Sequence, residues 1–309
     1  MAQGGVYLFN FTANKFQQAN IVMPLNFNFL PVKKTINCKG QLLDLSVGRV
    51  MGILNTTPDS FFDGNKYQGL EGQSAQVEKM LKEGADIIDI GGFSTRPRAD
   101  EVSIDEELKR VIPLIEKLKQ NFPDIIISID TFRSKVADSA ITAGAAIVND
   151  VTAGEGDPLM FETVVRLQVP YIIMHKQGYF KDMQVDPKYD DVVKEVIQYL
   201  SFKIEKLTVL GVHDIIIDPG FGFGKTLEHN FQLLKHLDLL RILGKPIMAG
   251  ISRKSMINKL LQTKPENALI GTAVANSLAL AGGADIIRVH DVKEAVQTLK
   301  MINYYRETV

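Results

Sequence analysis

Only one cysteine, Cys38, occurs in the 309 residues. That excludes an internal disulfide framework and fits a reducing compartment. Neither sign of charge is in excess: 36 acidic residues face 35 basic ones, for a net charge of −1. The chain therefore offers no field to draw it to nucleic acid or to an anionic membrane. No apolar run approaches the ~18 residues needed to cross a bilayer. The start of the chain has neither the basic opening nor the long apolar stretch of a secretory signal, so the cytoplasm is the expected location. Matches to the glycosylation pattern at Asn10 and Asn55 then count as chance. The scarcities extend to chemistry. The histidines, His175, His213, His229, His236 and His290, are scattered and form no pair at metal-ligand spacing. Gly-x-Ser-x-Gly is missing, and no cysteine lies beside a histidine, which removes the common nucleophilic arrangements.

The chain does have an ample core, with 45% hydrophobic and 23% charged residues, and a rhythm. Residues 1–33 are rich in Asn, Gln and Phe without a sustained period and read as a loosely structured N-terminal extension. Two short apolar stretches then flank Lys39-Gly40 and predict a β-hairpin able to plug one end of the domain. Short Ile- and Val-rich runs recur at 50–54, 86–90, 125–129, 146–148, 171–174, 214–217, 246–249 and 285–289. Runs that stay apolar on consecutive positions suit strands buried on both faces, as in a parallel sheet. Helical spacing fills the intervals at 77–83, 104–118, 133–143, 158–168, 188–210, 228–242, 265–281 and 292–304. Strand–helix alternation repeated eight times predicts a (β/α)8 TIM barrel over 34–309. An open doubly wound sheet is the alternative, but no dinucleotide-type glycine turn comes after the first run.

In such a barrel, function collects where the strands end. The runs end in Asn55, Asp130, Asn149-Asp150, His175 and Asp218; the seventh leads to Ser252-Arg253-Lys254, and the eighth carries Arg288, His290 and Asp291. The amides and carboxylates match a flat heterocycle bearing both donors and acceptors. Arg253, Lys254 and Arg288 suit phosphate or carboxylate oxygens. Together they imply a heteroaromatic substrate with an anionic appendage. The run 218–226, Asp-Pro-Gly-Phe-Gly-Phe-Gly-Lys-Thr, ends like a phosphate-binding P-loop, but Pro219 stands where its first glycine belongs and no clear helix starts at Thr226. A flexible turn bringing backbone and Phe223 close to a planar ligand is the better reading.

The run 52–61, Gly-Ile-Leu-Asn-Thr-Thr-Pro-Asp-Ser-Phe, resembles the opening signature of the dihydropteroate synthases. So do Asp89-Ile90-Gly91-Gly92, Ser94-Thr95-Arg96-Pro97, Asp130-Thr131, Asn149-Asp150, Met174-His175, the 218–225 run, Ser252-Arg253-Lys254-Ser255-Met256 and Arg288-Val289-His290-Asp291, in the family's order. The resemblance implies a pterin pocket of Asp130, Asn149, Met174, Asp218 and Lys254, with Asp130, Asp218 and Lys254 as the catalytic candidates. It implies diphosphate binding by Arg288 and His290, with Asn55 holding Mg2+. It places p-aminobenzoate against Thr95, Arg96, Pro97, Phe223, Ser252 and Lys254, a site open to sulfonamides, and it implies a homodimer through outer helices. The small-residue segment 267–281 is read as packing onto the barrel.

Two positions depart from the family pattern: Phe93 stands where Glu is common, and Arg98 where Gly is usual. Both bear on the loop over p-aminobenzoate. Two rivals are a pterin-binding barrel that moves a methyl group from methyltetrahydrofolate to a corrinoid, and a non-catalytic pterin-binding paralogue. The cationic segments at 252–254 and 288–290 favour the synthase over the first, because a methyl donor brings no diphosphate. The filled set of polar groups argues against the second.

Overall fold

The computed structural model describes residues 32–56, 69–93, 102–178 and 183–308. Most of the N-terminal extension, the loop after Thr56, and Thr95, Arg96, Pro97 and Arg98 lie outside the described residues. The hairpin comes first: β1 (Thr35–Cys38) pairs antiparallel with β2 (Gln41–Asp44). Its turn residues Lys39 and Gly40 both have positive φ, 55° and 94°.

Eight parallel strands come next: β3 (Arg49–Asn55), β4 (Ile87–Gly91), β5 (Ile127–Asp130), β6 (Ile147–Asp150), β7 (Tyr171–Met174), β8 (Ile215–Asp218), β9 (Met248–Ala249) and β10 (Ile286–Val289). Their order, β8-β7-β6-β5-β4-β3-β10-β9, is a ring cut at one seam. That seam is closed by a parallel bridge between Ile217 and Ile247, where the Ile217 amide donates to Pro246 O at 2.9 Å. Outside lie α1 (Gly69–Glu83), α2 (Ile104–Asn121), α3 (Ser134–Ala143), α4 (Met160–Leu167), α5 (Val192–Val209), α6 (Leu227–Lys235), α7 (Ser255–Leu261), α8 (Leu269–Ala281) and α9 (Val292–Glu307).

The apolar runs are continuous because each strand has two buried faces. One set of alternate residues, with Val50, Ile88, Ile127, Val148 and Ile215, packs against the helices. The other set, Met51, Ile87, Ile126, Ile147, Ile172, Ile216, Met248 and Ile286, points into the barrel and forms one cluster with Ile36, Cys38, Leu43 and Leu45 of the hairpin region. The hairpin thus plugs the N-terminal mouth. Ile36 and Leu45 are essentially fully buried there, each stabilising by about 1.5–3 kcal/mol. With that end filled by hydrocarbon, the only place left for polar chemistry in the interior is the opposite half.

Three helical expectations need correction: the 228–242 stretch is an α-helix only to Lys235, followed by a 3-10 helix over Leu237–Leu243, and the others concern Thr226 and 265–281. A helix does begin directly after Thr226: its hydroxyl accepts from the His229 amide at 3.1 Å while His229 Nδ1 accepts from the Thr226 amide, a capping box closing α6. Histidine in place of the usual Glu or Gln hides the signal. The 265–281 segment is a short 3-10 turn leading into α8, and α7 stands before it as a separate seven-residue helix. Within α8 the small residues pack inward as expected, with Ala275 and Ala279 buried. A Cβ on Gly271 would lie only 2.5 Å from Ile257 of α7.

Candidate active site

Above the hydrocarbon plug, the inward positions turn polar. Strand register places Asp89 beside Ser128, Gly91 beside Asp130, Asp130 beside Asn149 and Met174 beside Asp218. Because neighbours in parallel register share a face, these side chains all point into the C-terminal half of the barrel, with Asp89 and Ser128 fully buried beneath the others. Gly250 extends β9 at the same level. A Cβ there would meet Asp218 Oδ2 at 3.7 Å, Arg288 Cβ at 3.9 Å and Lys254 Nζ at 3.9 Å, so these three groups surround one point. On the far side Gly91 does the same: a Cβ would meet Asn55 Oδ1 at 3.6 Å and Asp130 Oδ2 at 3.7 Å.

Arg288 ties this floor together. Its Nε donates to Asp89 Oδ2 at 2.6 Å and its Nη2 to Asp130 Oδ2 at 2.7 Å. Asn149 Nδ2 donates to the same Asp89 oxygen at 3.0 Å, which leaves the Asn149 carbonyl oxygen for the cavity. Burial pushes the Asp130 carboxyl up to about 7 against the pull of Arg288, with the Asp89 charge adding to the rise. Burial likewise raises Asp218, opposed by Lys254 and by the hydrogen bond from the Gly220 amide at 2.7 Å. Burial brings Lys254 down to about 8, opposed by Asp218. Lys254 donates to Phe221 O and lies 4.6 Å from the centre of the Phe223 ring. Within a floor that Arg288 bridges, burial thus brings one carboxyl, Asp130, and one ammonium, Lys254, toward neutral pH.

The 220–225 turn is tight, not flexible. Gly220, Gly222 and Gly224 all have positive φ. A Cβ on Gly220 would sit 1.8 Å from His175 O, and one on Gly224 2.4 Å from Gln177 O. Lys225 points back into the turn. Its ammonium has three donors, and His175 Nδ1 at 2.9 Å, Gly220 O at 2.9 Å and Phe223 O at 3.1 Å take them. Burial lowers Lys225 to about 7 and His175 to about 2. The resemblance to a P-loop is therefore one of letters only, because this lysine is a staple facing the protein.

Of the other expected residues, Met174 is buried beside Asp218, and Asn55 ends β3 beside Gly91. Ser252 and His290, expected in different subsites, meet: the Ser252 hydroxyl lies 3.0 Å from His290 Nδ1 and accepts from the His290 amide. Arg253, grouped with the site cations by sequence, turns instead to Asp291, donating through Nε at 2.8 Å and Nη2 at 2.5 Å. Its own backbone is left-handed, φ 57°, which aims the side chain away from the cavity occupied by Lys254.

Asp89 belongs to one of the sequence motifs, but reading strand ends passes over it, since it lies within a strand. A carboxylate inside Ile-Ile-Asp-Ile is the available signal. Phe93, at the base of the loop where Glu is usual, packs edge-on against Phe132 with ring centres 5.2 Å apart and lies 5.4 Å from the Arg133 guanidinium. Arg133 also donates to buried Glu107 at 2.6 Å and to Val102 O at 2.6 Å. The guanidinium also lies 5.2 Å from the Phe132 ring, and a cation in contact with both rings accounts for an aromatic residue being tolerated there.

The description "pterin binding enzyme" fits the family model that matches residues 51–290, the stretch that contains every barrel strand except the first residues of β3. A dihydropteroate synthase from Haemophilus influenzae is 45% identical over 261 residues, covering 84% of this chain and 94% of that protein. This chain belongs to the dihydropteroate synthase family. The Escherichia coli member is 44% identical over 266 residues, covering 85% of this chain and 94% of its own. Among solved structures, a Yersinia pestis dihydropteroate synthase with a sulfonamide drug complex superposes with a TM-score of 0.85 at 42% identity, covering 89% of this chain and 100% of that one. A Xanthomonas albilineans dihydropteroate synthase in complex with 7,8-dihydropteroate gives 0.80 at 39% identity, again covering 89% of this chain and 100% of that one. The barrel found here is thus the family's fold, and in this chain an N-terminal hairpin precedes it.

Proposed function

We propose that this chain condenses 6-hydroxymethyl-7,8-dihydropterin diphosphate with p-aminobenzoate, giving 7,8-dihydropteroate and pyrophosphate. The observation that carries the reading is the floor in which Asp89, Asp130, Asn149, Asp218, Lys254 and Arg288 converge at one mouth of the barrel. A pterin edge presents donors and acceptors together, and Asp130, Asp218, the Asn149 carbonyl and Lys254 supply the complement. Met174 offers an apolar contact to the ring.

In the reaction the methylene C–O bond breaks and its electron pair leaves on the diphosphate. The aniline nitrogen then bonds to the methylene carbon and loses a proton. Positive charge grows on the pterin methylene, and the carboxylates of Asp130 and Asp218 stabilise it; negative charge grows on the leaving group, and Arg288 and His290 receive it. Mg2+ suits this site as a partner of the substrate. Among the described residues no three His, Cys, Asp or Glu side chains gather to hold a metal. A Mg2+ bound by the Asn55 amide oxygen and diphosphate oxygens fits that donor set, and it would supply further charge to the leaving group. For p-aminobenzoate we assign Phe223, Ser252 and Lys254, whose ammonium lies 4.6 Å from the centre of the Phe223 ring, with Thr95, Arg96 and Pro97 added by resemblance. The same site accepts sulfonamides, which share the aniline.

Ile270, Val274 and Leu278 form an exposed apolar stripe along α8, and Met301, Tyr304 and Tyr305 another on α9; outer helices so exposed support a homodimer. Among the described residues no helix is long and apolar enough to cross a membrane, and the single cysteine supports a cytoplasmic location. The deciding experiment is pyrophosphate release. It should require both substrates and yield dihydropteroate; release that ignores p-aminobenzoate, or stabilisation by methyltetrahydrofolate alone, would overturn the reading.

A further inference from the structure

Arg288 has two carboxylate anchors of different kinds. The Asp89 side chain has no exposure at all, whereas Asp130 retains 17% and faces the cavity. A pterin that engages Asp130 competes with Arg288 for its oxygens; it cannot reach Asp89. Asp89 also fixes Asn149, and it does both through one oxygen, Oδ2. Its other oxygen, Oδ1, is buried with no hydrogen-bond partner among the described residues, and so is the hydroxyl of Ser128, its neighbour in register. A carboxylate serving only as a structural tie is expected to satisfy both oxygens. Here one acceptor is held in reserve beside a guanidinium that must change partners.

We propose that Asp89 is a positioning residue: it keeps Arg288 on the barrel floor while the Nη2 end is handed from Asp130 to the substrate's diphosphate, and it holds Asn149 with its carbonyl toward the pterin. The unused Oδ1 is the acceptor that tracks Arg288 as it turns. The idea rests on the reaction proposed above and adds a residue that does not itself touch the substrate. It divides the labour of the site, because ligand recognition and retention of Arg288 fall to different carboxylates.

The test is calorimetry with two ligands, 6-hydroxymethyl-7,8-dihydropterin diphosphate and the corresponding alcohol, which lacks the diphosphate. Asp89→Ala should weaken the diphosphate ester about tenfold more than the alcohol, the scale of one displaced charge-assisted contact. The excess should vanish when Arg288 is already Ala, since the two residues then act as one unit. Asp89→Asn keeps an acceptor for Asn149 and should retain the alcohol while still losing part of the ester's affinity; it also covers the case in which the alanine variant does not fold. Equal losses for both ligands, wild-type behaviour of both variants, or losses additive with Arg288→Ala would overturn the proposal. If the unsubstituted protein neither binds the ester nor releases pyrophosphate, the reaction assignment is what fails. If it does both and the Asp89 variants match it, only the role of Asp89 falls.

Discussion

Replacing Asp130 by Asn tests the electrostatic core of the mechanism. The carboxyl is 2.7 Å from Arg288 Nη2, and burial lifts it to about 7; Lys254, also buried, falls to about 8. The proposed reaction uses Asp130 ionised, so activity is expected to rise with pH through the first value. It uses Lys254 protonated, so activity is expected to decline through the second. For kcat/KM the product of the two fractions peaks between them and drops about sixfold by pH 6 on one side and by pH 9 on the other. Asp130→Asn preserves the outline of the side chain but removes the charge facing the methylene. Turnover should fall by about 10²-fold or more, the usual cost of one preorganised electrostatic group. The same substitution should flatten the acid limb. Steady-state kinetics from pH 5.5 to 9.5 on both proteins is the assay, and since ionisation of the diphosphate substrate is common to both, the difference between the two profiles isolates Asp130. Near-normal turnover in the variant, or an acid limb that survives unchanged, would refute this role for Asp130.

The remaining expectations concern parts of the molecule that should act separately. Lys225→Met strands two carbonyls and His175 Nδ1, so urea unfolding should show a loss of ~2–4 kcal/mol, while the Kd for the pterin diphosphate stays within about twofold; the reverse outcome would make Lys225 a phosphate ligand after all. Leu45→Ala empties part of the hairpin plug and should cost ~2–5 kcal/mol with both KM values unchanged. Arg288→Ala should weaken the pterin diphosphate far more than dihydropteroate, and equal losses by calorimetry would remove it from the leaving-group site. Ile270→Glu places a charge in the exposed stripe of α8, and sedimentation should then show monomers; an unaltered mass would mean that the stripe is not a subunit contact.

The sequence is most legible where one physical cause acts alone. Continuous apolar runs need two buried faces, and that condition alone marks the barrel strands. The hairpin likewise stems from Lys39-Gly40 between apolar stretches. The site is legible at strand ends, where Asp130, Asn149 and Asp218 break the runs, and less so inside them. Asp89 faces the interior one layer lower, flanked by isoleucines that answer to the opposite face, so its meaning emerges only with Arg288 in place. Arg253 is misgrouped by its letters because a left-handed backbone residue aims its side chain away from that of its neighbour, and no composition rule reports φ. The helix at Thr226 is hidden by its cap, where His229 performs a task ordinarily given to an acid or amide. Lys225 has the letters of a phosphate loop, and only three-dimensional accounting of its donors shows them spent.

The seam of the barrel has a mechanical implication. Five staves, β3 to β7, are bonded along three or more residues on each side, but β9 contributes only Met248 and Ala249 to its ladder with β10 and meets β8 through the single Ile217–Ile247 bridge. Ser252 and Lys254 hang from that thin stave. Local opening takes the path of fewest bonds and needs less free energy than global unfolding. Heat or mild denaturant should therefore unlatch this stave first and silence the enzyme while the hairpin, the opposite wall and most of the helical jacket are still intact. Activity would be lost ahead of structure, and amide exchange at 247–254 would run ahead of exchange in β3 and β4.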